Sequence, residues 1–345
     1  MRCWRAISLS TATACVVTVG ALTATASAQP NDASDSDGSA FTFAVIGDIP
    51  YGADQIAHFP KVVDQINADP AVQFVDHLGD IKSGSSQCTD DYFMWIRQQF
   101  DRFVDPLVYT PGDNEWTDCH RANNGSYSPL ERLAKIREVF FPRPDKTLGQ
   151  HSVRVWSQAD QGYVENVSYH RANVGFAAVN VPGSNNDLVP WTAPNADPAA
   201  QQHEVTQRTA ADLDLIDDTF NEAINTHQRA VILLMQADMF DPSAGSNPSP
   251  ADFSGFTPIV QKIAQRSAQF GKPVYLFNGD SHTFNQDKPL DAGSRWLTFY
   301  DVTTPAPNLT RITVDGSTGV NDYLRVSVDP STPEVLTVAK VPFAP

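Results

Sequence analysis

Five short, nearly continuous apolar runs constrain the fold of this chain more than any other feature. They lie at residues 41–47, 72–79, 106–112, 230–235 and 273–279. Runs of this length, rich in Val, Phe, Leu and Tyr, are typical of strands that are buried on both faces. Stretches with helical periodicity separate several of these runs, at residues 53–68, 90–104, 199–226 and 257–269. This alternation of strands and helices predicts an α/β core.

The remaining segments predict further strands. Residues 163–181 read as two strands joined by a turn at 171–173. The C-terminal part contains four more candidate strands, at residues 296–302, 309–314, 322–328 and 335–341. Their alternation of Thr and Val suits an antiparallel sheet that packs on one side. Together these elements predict a mixed β-sandwich of two sheets, flanked by helices.

Four of the five apolar runs end at a glycine that is followed directly by an aspartate. The remaining run, at residues 230–235, is followed by Gln236. The aspartates are Asp48, Asp80, Asp113 and Asp280. In α/β sheets, sites form at the carboxyl ends of the strands, and glycine allows a close approach of the backbone. One such pair would be a turn or a helix cap, but four carboxylates at one edge repel each other unless cations lie between them. With His282 nearby as a nitrogen donor, the pattern predicts a metal site.

The N-terminus predicts export of the protein. Arg2 and Arg5 precede an uncharged segment at residues 6–25, and Ala26-Ser27-Ala28 matches a cleavage site, so residues 1–28 are interpreted as a signal peptide. A single membrane anchor is the alternative, but the segment is rich in Thr, Ser and Ala. Residues 29–40 are interpreted as a flexible lead-in and residues 41–345 as one domain. We therefore expect a secreted or periplasmic protein with no membrane anchor after cleavage.

The charge of the chain argues against a nucleic-acid partner, and its cysteine content indicates one disulfide bond. The formal charge of the chain is −16, and removal of Arg2 and Arg5 leaves 22 basic against 40 acidic residues, which gives −18. Such a surface repels polyanions, so we expect no nucleic-acid partner. Cys3 and Cys15 lie in the signal segment, which leaves Cys88 and Cys119. In an exported protein, this pair predicts a disulfide bond.

In order, the strand ends read "GDIP", "GDIKSG", "GDNE", "MQAD" and "GDSH". This order and its strand context resemble the calcineurin-like metallophosphoesterases, including the purple acid phosphatase branch, over residues 41–341. The family blocks are D-x-H, G-D, G-N-H-[DE], a lone His and G-H-x-H. The resemblance implies a four-layer αββα sandwich with two metal ions, bridged by the aspartate of the second block, which is Asp80 here.

The resemblance also implies which residues bind the metals. One ion would be held by Asp48, Asp80 and His282, and the other by Asp80, Asp113, Gln236 and Asp280. The chain departs from the family at three metal-ligand histidines. Pro50 replaces the histidine of the first block, and Asp280 replaces the first histidine of the last block. Gln236 replaces the lone histidine, and Asp238 is a nearby substitute for it. This oxygen-rich set favours hard ions such as Mn²⁺, Mg²⁺, Fe or Ca²⁺ over zinc.

The function that the resemblance implies is hydrolysis of a small phosphate ester by a hydroxide held between the two ions. Asn114 stands where the family has a substrate-facing histidine, so it is a candidate for binding a phosphate oxygen. His120 is the candidate for protonating the leaving group. Lys82 and Arg121 are further candidates for charge neutralisation, although each would also serve as an ordinary surface side chain.

Two other functions remain open at this stage. The replaced histidines favour a catalytically silent protein that binds metal or a partner on the same fold. Paired carboxylates would also suit a glycosidase, which chelators would not inhibit. His77 is predicted to be a core histidine, and Glu115 is predicted to form an ion pair or a cap locally. Asn185 and Asn186 are weaker candidates for contact with a substrate. The sequence indicates no particular oligomeric state.

Overall fold

The computed structural model describes residues 38–241 and 248–344. The predicted signal segment and most of the predicted lead-in lie outside the described residues. In the described part, none of the helices has both the length and the apolar character needed to cross a bilayer. The domain boundaries at residues 28 and 40 therefore stay predictions.

One sheet has five strands in the order β12-β11-β1-β2-β3. The strands are β1 (Phe41–Ile46), β2 (Val75–His77), β3 (Leu107–Tyr109), β11 (Asp322–Val328) and β12 (Leu336–Pro342). Strands β1, β2 and β3 run parallel, whereas β11 is antiparallel to both β1 and β12. The three parallel strands place their carboxyl ends at the same edge.

The second sheet has seven strands in the order β4-β5-β6-β7-β8-β10-β9. The strands are β4 (Trp156–Gln158), β5 (Tyr163–Arg171), β6 (Val174–Ala178), β7 (Ala230–Leu234), β8 (Val274–Asn278), β9 (Asn285–Asp287) and β10 (Leu309–Thr313). Its central strands β6, β7, β8 and β10 are parallel, and the flanking strands are antiparallel. Both sheets are therefore mixed, as predicted.

Helices cover the outer face of each sheet. The helices on these faces are α1 (Gly52–Ala68), α2 (Asp90–Phe100), α3 (Pro129–Phe140), α5 (Pro198–Asn225), α6 (Thr257–Phe270) and α7 (Arg295–Phe299). The short element α4 (Gly183–Asp187), which has left-handed φ angles, follows β6 and lies against Asp113. One apolar cluster lies between α1–α3 and the five-stranded sheet, a second between the two sheets, and a third between the seven-stranded sheet and α5–α7. The layers follow the predicted αββα order.

Strand β1 shows why the apolar runs are nearly continuous. Phe43 and Val45 belong to the cluster between the sheets, whereas Ala44 and Ile46 belong to the cluster under the helices. Because successive side chains of a strand point to opposite faces, both sets must be apolar. Complete burial of a side chain such as Phe43 contributes roughly 1.5–3 kcal/mol.

The C-terminal prediction was partly wrong. Residues 296–302 are not a strand, because α7 begins after Ser294, whose hydroxyl accepts a hydrogen bond from the Trp296 backbone N–H. The helical spacing places both Trp296 and Tyr300 against Phe240. Strand β10 lies in the other sheet, parallel to β8, so the C-terminal strands do not form one antiparallel sheet. Only β11 and β12 pair as predicted. The sequence prediction also missed α3, β4 and β9.

Strand β2 carries two ionisable side chains into the core. His77 is fully buried; its Nε2 lies 3.1 Å from the Ile49 carbonyl and its Nδ1 accepts from the Gly79 N–H. Burial lowers the pKa of His77 to about 3, so its ring is neutral, and the prediction of a core histidine is confirmed. Asp76 faces the other sheet, where the Tyr169 hydroxyl donates to it over 3.4 Å.

We expect Asp76→Asn to stabilise the fold at pH 7–8. Burial raises the pKa of Asp76 well above its ordinary value, and the bond from Tyr169 opposes this only in part. A carboxyl whose pKa is raised in the folded state favours folding below its unfolded pKa and loses this contribution as the pH rises through the folded value. The loss reaches about 1.4 kcal/mol per pH unit, and the amide of the Asp76→Asn variant, which does not titrate, would not show it.

Urea midpoints of both proteins at pH 5 and pH 8, measured in chelator, check this prediction. The wild type should lose more stability between the two pH values than the variant. Parallel pH profiles would contradict the assigned role of Asp76.

Candidate metal centre

The strand ends of both sheets converge on one edge of the sandwich. The predicted ligands follow five parallel strands: Asp48 after β1, Asp80 after β2, Asp113 after β3, Gln236 after β7 and Asp280 after β8. The structure thus brings these side chains together, with His282 two residues after Asp280. Their role as ligands stays a prediction.

The backbone at this edge is strained where the chain leaves the strands. Asp48, Asp80, Asp280 and His282 have φ angles of 52°, 55°, 70° and 61°. Non-glycine residues are uncommon in this left-handed region, and such residues gather at functional sites because the surrounding structure must hold them there. The strain supports a functional role for this edge over that of a simple surface turn.

Two glycines of the Gly-Asp pairs are explained by close approach. A Cβ atom on Gly112 would lie 2.1 Å from Asp80 Oδ1, and one on Gly279 would lie 2.0 Å from Asp48 Oδ2. Neither position has room for a side chain while the neighbouring carboxylate keeps its place. In each of these two pairs, the glycine therefore leaves room for an aspartate that follows a different strand.

Asp48, Asp80 and His282 form the tightest cluster. One ligand atom from each lies within 4.8 Å of the others. His282 Nε2 is 3.3 Å from Asp48 Oδ1, and the Asp280 N–H donates to both oxygens of Asp48 at 3.0 and 3.1 Å. Two carboxylates and one imidazole at this spacing fit the first predicted metal position.

Asp80 lies at the centre of the cluster and is almost fully buried. Its Oδ2 accepts from the Tyr51 hydroxyl at 2.7 Å and from Asn114 Nδ2 at 2.5 Å, and its Oδ1 accepts from the Asn114 N–H at 3.1 Å. Three donors hold this carboxylate in one orientation. Tyr51 was missed by the sequence analysis, although it stands only three residues after Asp48.

The second predicted position contains Asp113, Gln236 and Asp280 beside the shared Asp80. Gln236 Oε1 accepts from the Gly183 N–H at 2.5 Å, so its amide nitrogen is the atom directed at Asp113 Oδ1, at 3.4 Å. As a metal ligand Gln236 would have to turn its oxygen away from Gly183. Its predicted role therefore requires a rotation of the amide.

The electrostatics of the site favour a bound cation. Burial, followed by the neighbouring carboxylates, raises the pKa of Asp80 and Asp280 well above the ordinary value. Burial also raises the pKa of Asp48, against the opposing effect of its hydrogen bond with His282. A cation among these oxygens would supply the missing countercharge, and the donor set fits a hard ion.

Lys82 and Arg121 differ in what they offer the site. Lys82 is buried and donates to the carbonyls of Asn114 at 2.6 Å and Ser83 at 3.0 Å, and burial lowers its pKa to about 8. Arg121 is 38% exposed and pairs with buried Asp118 at 2.6 Å. Lys82 therefore stabilises the loop that carries Asn114 through the backbone carbonyl of that residue, whereas Arg121 is partly exposed to solvent.

The two predicted catalytic residues have other partners in this structure. Asn114 Nδ2 donates to Asp80 and also to the Tyr51 hydroxyl, at 2.7 Å. His120 is buried, and its Nδ1 lies 2.9 Å from the Thr192 hydroxyl and accepts from the Thr192 N–H at 3.0 Å. Burial, and then Arg121, lowers the pKa of His120. Binding of phosphate by Asn114 and proton donation by His120 stay predictions.

Glu115 is a local cap, as predicted. Its Oε1 accepts from the N–H groups of Asp80 and Gly112 and from the Tyr109 hydroxyl, at 3.1, 2.8 and 2.8 Å. Burial raises its pKa to about 6. These bonds tie the end of β3 to the end of β2.

Asp238, the substitute considered for the missing histidine, is paired elsewhere. Its Oδ1 accepts from Arg311 at 2.5 Å and its Oδ2 from the Ser281 hydroxyl at 2.7 Å. Its backbone N–H donates to Asp280 Oδ2 at 3.3 Å. Asp238 thus supports Asp280, and buried Arg311 is a second residue that the sequence analysis missed.

Cys88 and Cys119 are joined by a disulfide bond, with their Cα atoms 5.9 Å apart. Their sulfur atoms lie 3.5 and 3.6 Å from the Asn114 carbonyl oxygen, which also accepts from Lys82. The disulfide therefore packs directly on the loop that carries Asp113 and Asn114.

Part of the chain matches the sequence model of a known protein family. Residues 41–179 match the sequence model of the calcineurin-like phosphoesterase family. No curated protein matches the chain. The chain is similar to GAP50, the anchor in the inner membrane complex of Plasmodium, with 10% identity, a TM-score of 0.42, and coverage of 89% of this chain and 90% of that chain.

It is also similar to the purple acid phosphatase PPD1 of yellow lupin (Lupinus luteus) seeds, with 9% identity, a TM-score of 0.43 and coverage of 88% of this chain. The alignment spans 54% of the lupin protein, about half its length. Both TM-scores are below 0.5, so neither likeness carries an argument about function. The match to the family model covers the β1, β2 and β3 strand ends with Asp48, Asp80 and Asp113, so residues 41–179 are similar to the calcineurin-like phosphoesterase family.

Proposed function

We propose that this protein is an exported, metal-dependent phosphoesterase that acts on small phosphate esters at a two-metal site centred on Asp80. The observation that supports it most is the convergence of Asp48, Asp80 and His282 within 4.8 Å, at the edge where Asp113 and Asp280 also end. The residues fit hard cations, because oxygen donors outnumber the single imidazole.

Asp48, Asp80 and His282 would hold one ion, and Asp80, Asp113, Asp280 and Gln236 the other. When bound, such a pair of ions lowers the pKa of a water molecule and binds the oxygens of the phosphate. The protein contributes orientation: Tyr51 and Asn114 fix Asp80, and the Asp280 N–H fixes Asp48. Arg121, exposed beside Asp118, is the cation placed to meet an incoming anion.

A silent metal-binding protein on the same fold is the alternative function. It is favoured by the position of Asn114, whose amide donates to Asp80 and Tyr51 and which replaces the imidazole of the family. The amide orientation of Gln236 also favours this alternative, since its nitrogen donates to Asp113 and its oxygen accepts from Gly183. Activity measurements separate the two functions.

We expect the protein purified from the exported fraction to contain close to two equivalents of metal. Chelation should abolish hydrolysis of an aryl phosphate monoester or diester, and added Mn²⁺, Mg²⁺, Fe or Ca²⁺ should restore it. Elemental analysis and steady-state rates check both points. Metal without turnover of any phosphoester would favour the silent protein, and protein that cannot be loaded with metal would contradict both functions.

A further inference from the structure

The short element α4 has a backbone that its residue types do not favour. Ser184, Asn185, Asn186 and Asp187 have φ angles of 51°, 57°, 56° and 67°. L-residues visit the left-handed region as single residues and not in runs, because Cβ then approaches the following carbonyl oxygen. Four consecutive residues in this region persist only when the surroundings enforce it.

Two neighbours that are not predicted metal ligands hold this conformation. Arg208 is fully buried and donates to Asn186 Oδ1 at 2.5 Å and to the Asn186 carbonyl at 3.1 Å. The Gly255 N–H donates to Asn185 Oδ1 at 2.8 Å, and Asn186 Nδ2 donates to the Gly255 carbonyl at 3.1 Å. Helix α5, which carries Arg208, and the segment around Gly255 therefore hold the turn between them.

The other end of α4 lies against the second predicted metal position. The Ser184 hydroxyl is 2.9 Å from Asp113 Oδ2 and 2.8 Å from Asp118 Oδ1. The Gly183 N–H donates to Gln236, and a Cβ on Gly183 would lie 2.7 Å from Asp113 Oδ2. The amide of Gly183 and the hydroxyl of Ser184 therefore contact two predicted ligands, Gln236 and Asp113.

We infer that α4 is a positioning element of the metal site, and that Ser184 is the residue that orients the Asp113 carboxylate. The inference rests on the proposed function and deepens it, since it concerns the same site. Outer hydrogen bonds fix the orientation of ligating carboxylates and tune their affinity for metal. Arg121 donates to Ser184 Oγ at 3.2 Å, which leaves the serine proton directed at the carboxylates.

Two substitutions separate this role from a structural one. Ser184→Gly and Ser184→Ala both remove the hydroxyl, but glycine adopts the left-handed backbone at no steric cost, whereas alanine keeps the Cβ that disfavours it. If Ser184 serves only the turn, Ser184→Gly should bind metal like the wild type. If Ser184 orients Asp113, both variants should lose metal affinity, although their stabilities differ.

The experiment is titration calorimetry of the metal-stripped mature chain with Mn²⁺, together with thermal unfolding. We expect both variants to bind one of the two Mn²⁺ equivalents about 10–100-fold more weakly than the wild type, with the other unchanged. Ser184→Gly should unfold at a higher temperature than Ser184→Ala. Ser331→Ala, which removes a serine-to-aspartate bond at Asp329 outside the site, should bind Mn²⁺ like the wild type.

The outcomes are distinct. If the wild type binds two equivalents of Mn²⁺ and Ser184→Gly binds both with unchanged affinity, this inference is overturned but the proposed function is not. A wild type that binds no Mn²⁺ overturns the proposed function and this inference with it. Weakening of both equivalents to the same degree also overturns it, because the Ser184 hydroxyl hydrogen-bonds to Asp113 and, within the described residues, makes no hydrogen bond with Asp48 or His282.

Discussion

Asp80→Asn is expected to lose most of its bound metal and to lower kcat/KM by more than the roughly 10–100-fold that outer substitutions at metal sites cost. Asp80 is the one side chain that the proposed site shares between both ions. The substitution keeps the volume but removes the charge. It also places an amide beside the Tyr51 hydroxyl and Asn114 Nδ2, both of which donate to the carboxylate in the wild type.

Gln236→Ala is the matched comparison, since Gln236 belongs to only one of the proposed positions. It should retain more metal and more activity than Asp80→Asn. Elemental analysis and steady-state kinetics measure both variants, and circular dichroism checks that both are folded. Wild-type metal content in Asp80→Asn would refute a two-metal site centred on this residue.

The same variant has a second expected result, in the metal-free protein. Asp80 lies among Asp48, Asp113, Glu115 and Asp280, which together with burial raise its pKa. At a pH above the raised pKa of Asp80, removing one of these like charges should relieve repulsion and offset the cost of an amide beside Tyr51 and Asn114. Metal-free Asp80→Asn should then unfold at a temperature no lower than that of the metal-free wild type. This result would show that the lost metal is not a consequence of misfolding.

Replacing both cysteines, as Cys88→Ala with Cys119→Ala, is expected to lower the free energy of unfolding by about 3–4 kcal/mol. The disulfide closes a loop across a sequence separation of 31, and in the chain-entropy model such a cross-link acts by restricting the unfolded chain. The bond is fully buried in the cluster under the helices, so loss of sulfur packing would add to the effect.

Urea denaturation of the double variant and of the wild type measures the difference. The wild type unfolded in the presence of a reductant should approach the midpoint of the variant, because it loses the same cross-link. A loss below about 1 kcal/mol, or free thiols in the native protein by mass spectrometry, would contradict the prediction.

The five apolar runs and the Gly-Asp pairs allowed the sandwich, and the edge at which the aspartates meet, to be predicted. Both signals are local: a strand buried on two faces must be apolar at nearly every position, as Phe43 and Ala44 show in β1. Where local composition was ambiguous the prediction was wrong. Residues 296–302 are as apolar as a strand, but Trp296 and Tyr300 pack on Phe240 with helical spacing.

The order of residues alone was enough to predict which side chains end the parallel strands, because Asp48, Asp80, Asp113 and Asp280 follow directly from apolar runs. It also limited the disulfide to a single pair in the predicted mature chain. The first property depends on neighbours along the chain, and the second depends on the number of cysteines in the predicted mature chain.

What surrounds those aspartates depends instead on the packing of distant segments. Tyr51 reaches Asp80 across 29 positions and Ser184 reaches Asp113 across 71, so no local pattern could reveal either contact. The left-handed backbone of α4 depends on Arg208, and the orientation of Gln236 depends on the Gly183 N–H. Hydrogen bonds between segments that are distant in the sequence orient these predicted ligands, and they form only in the folded chain.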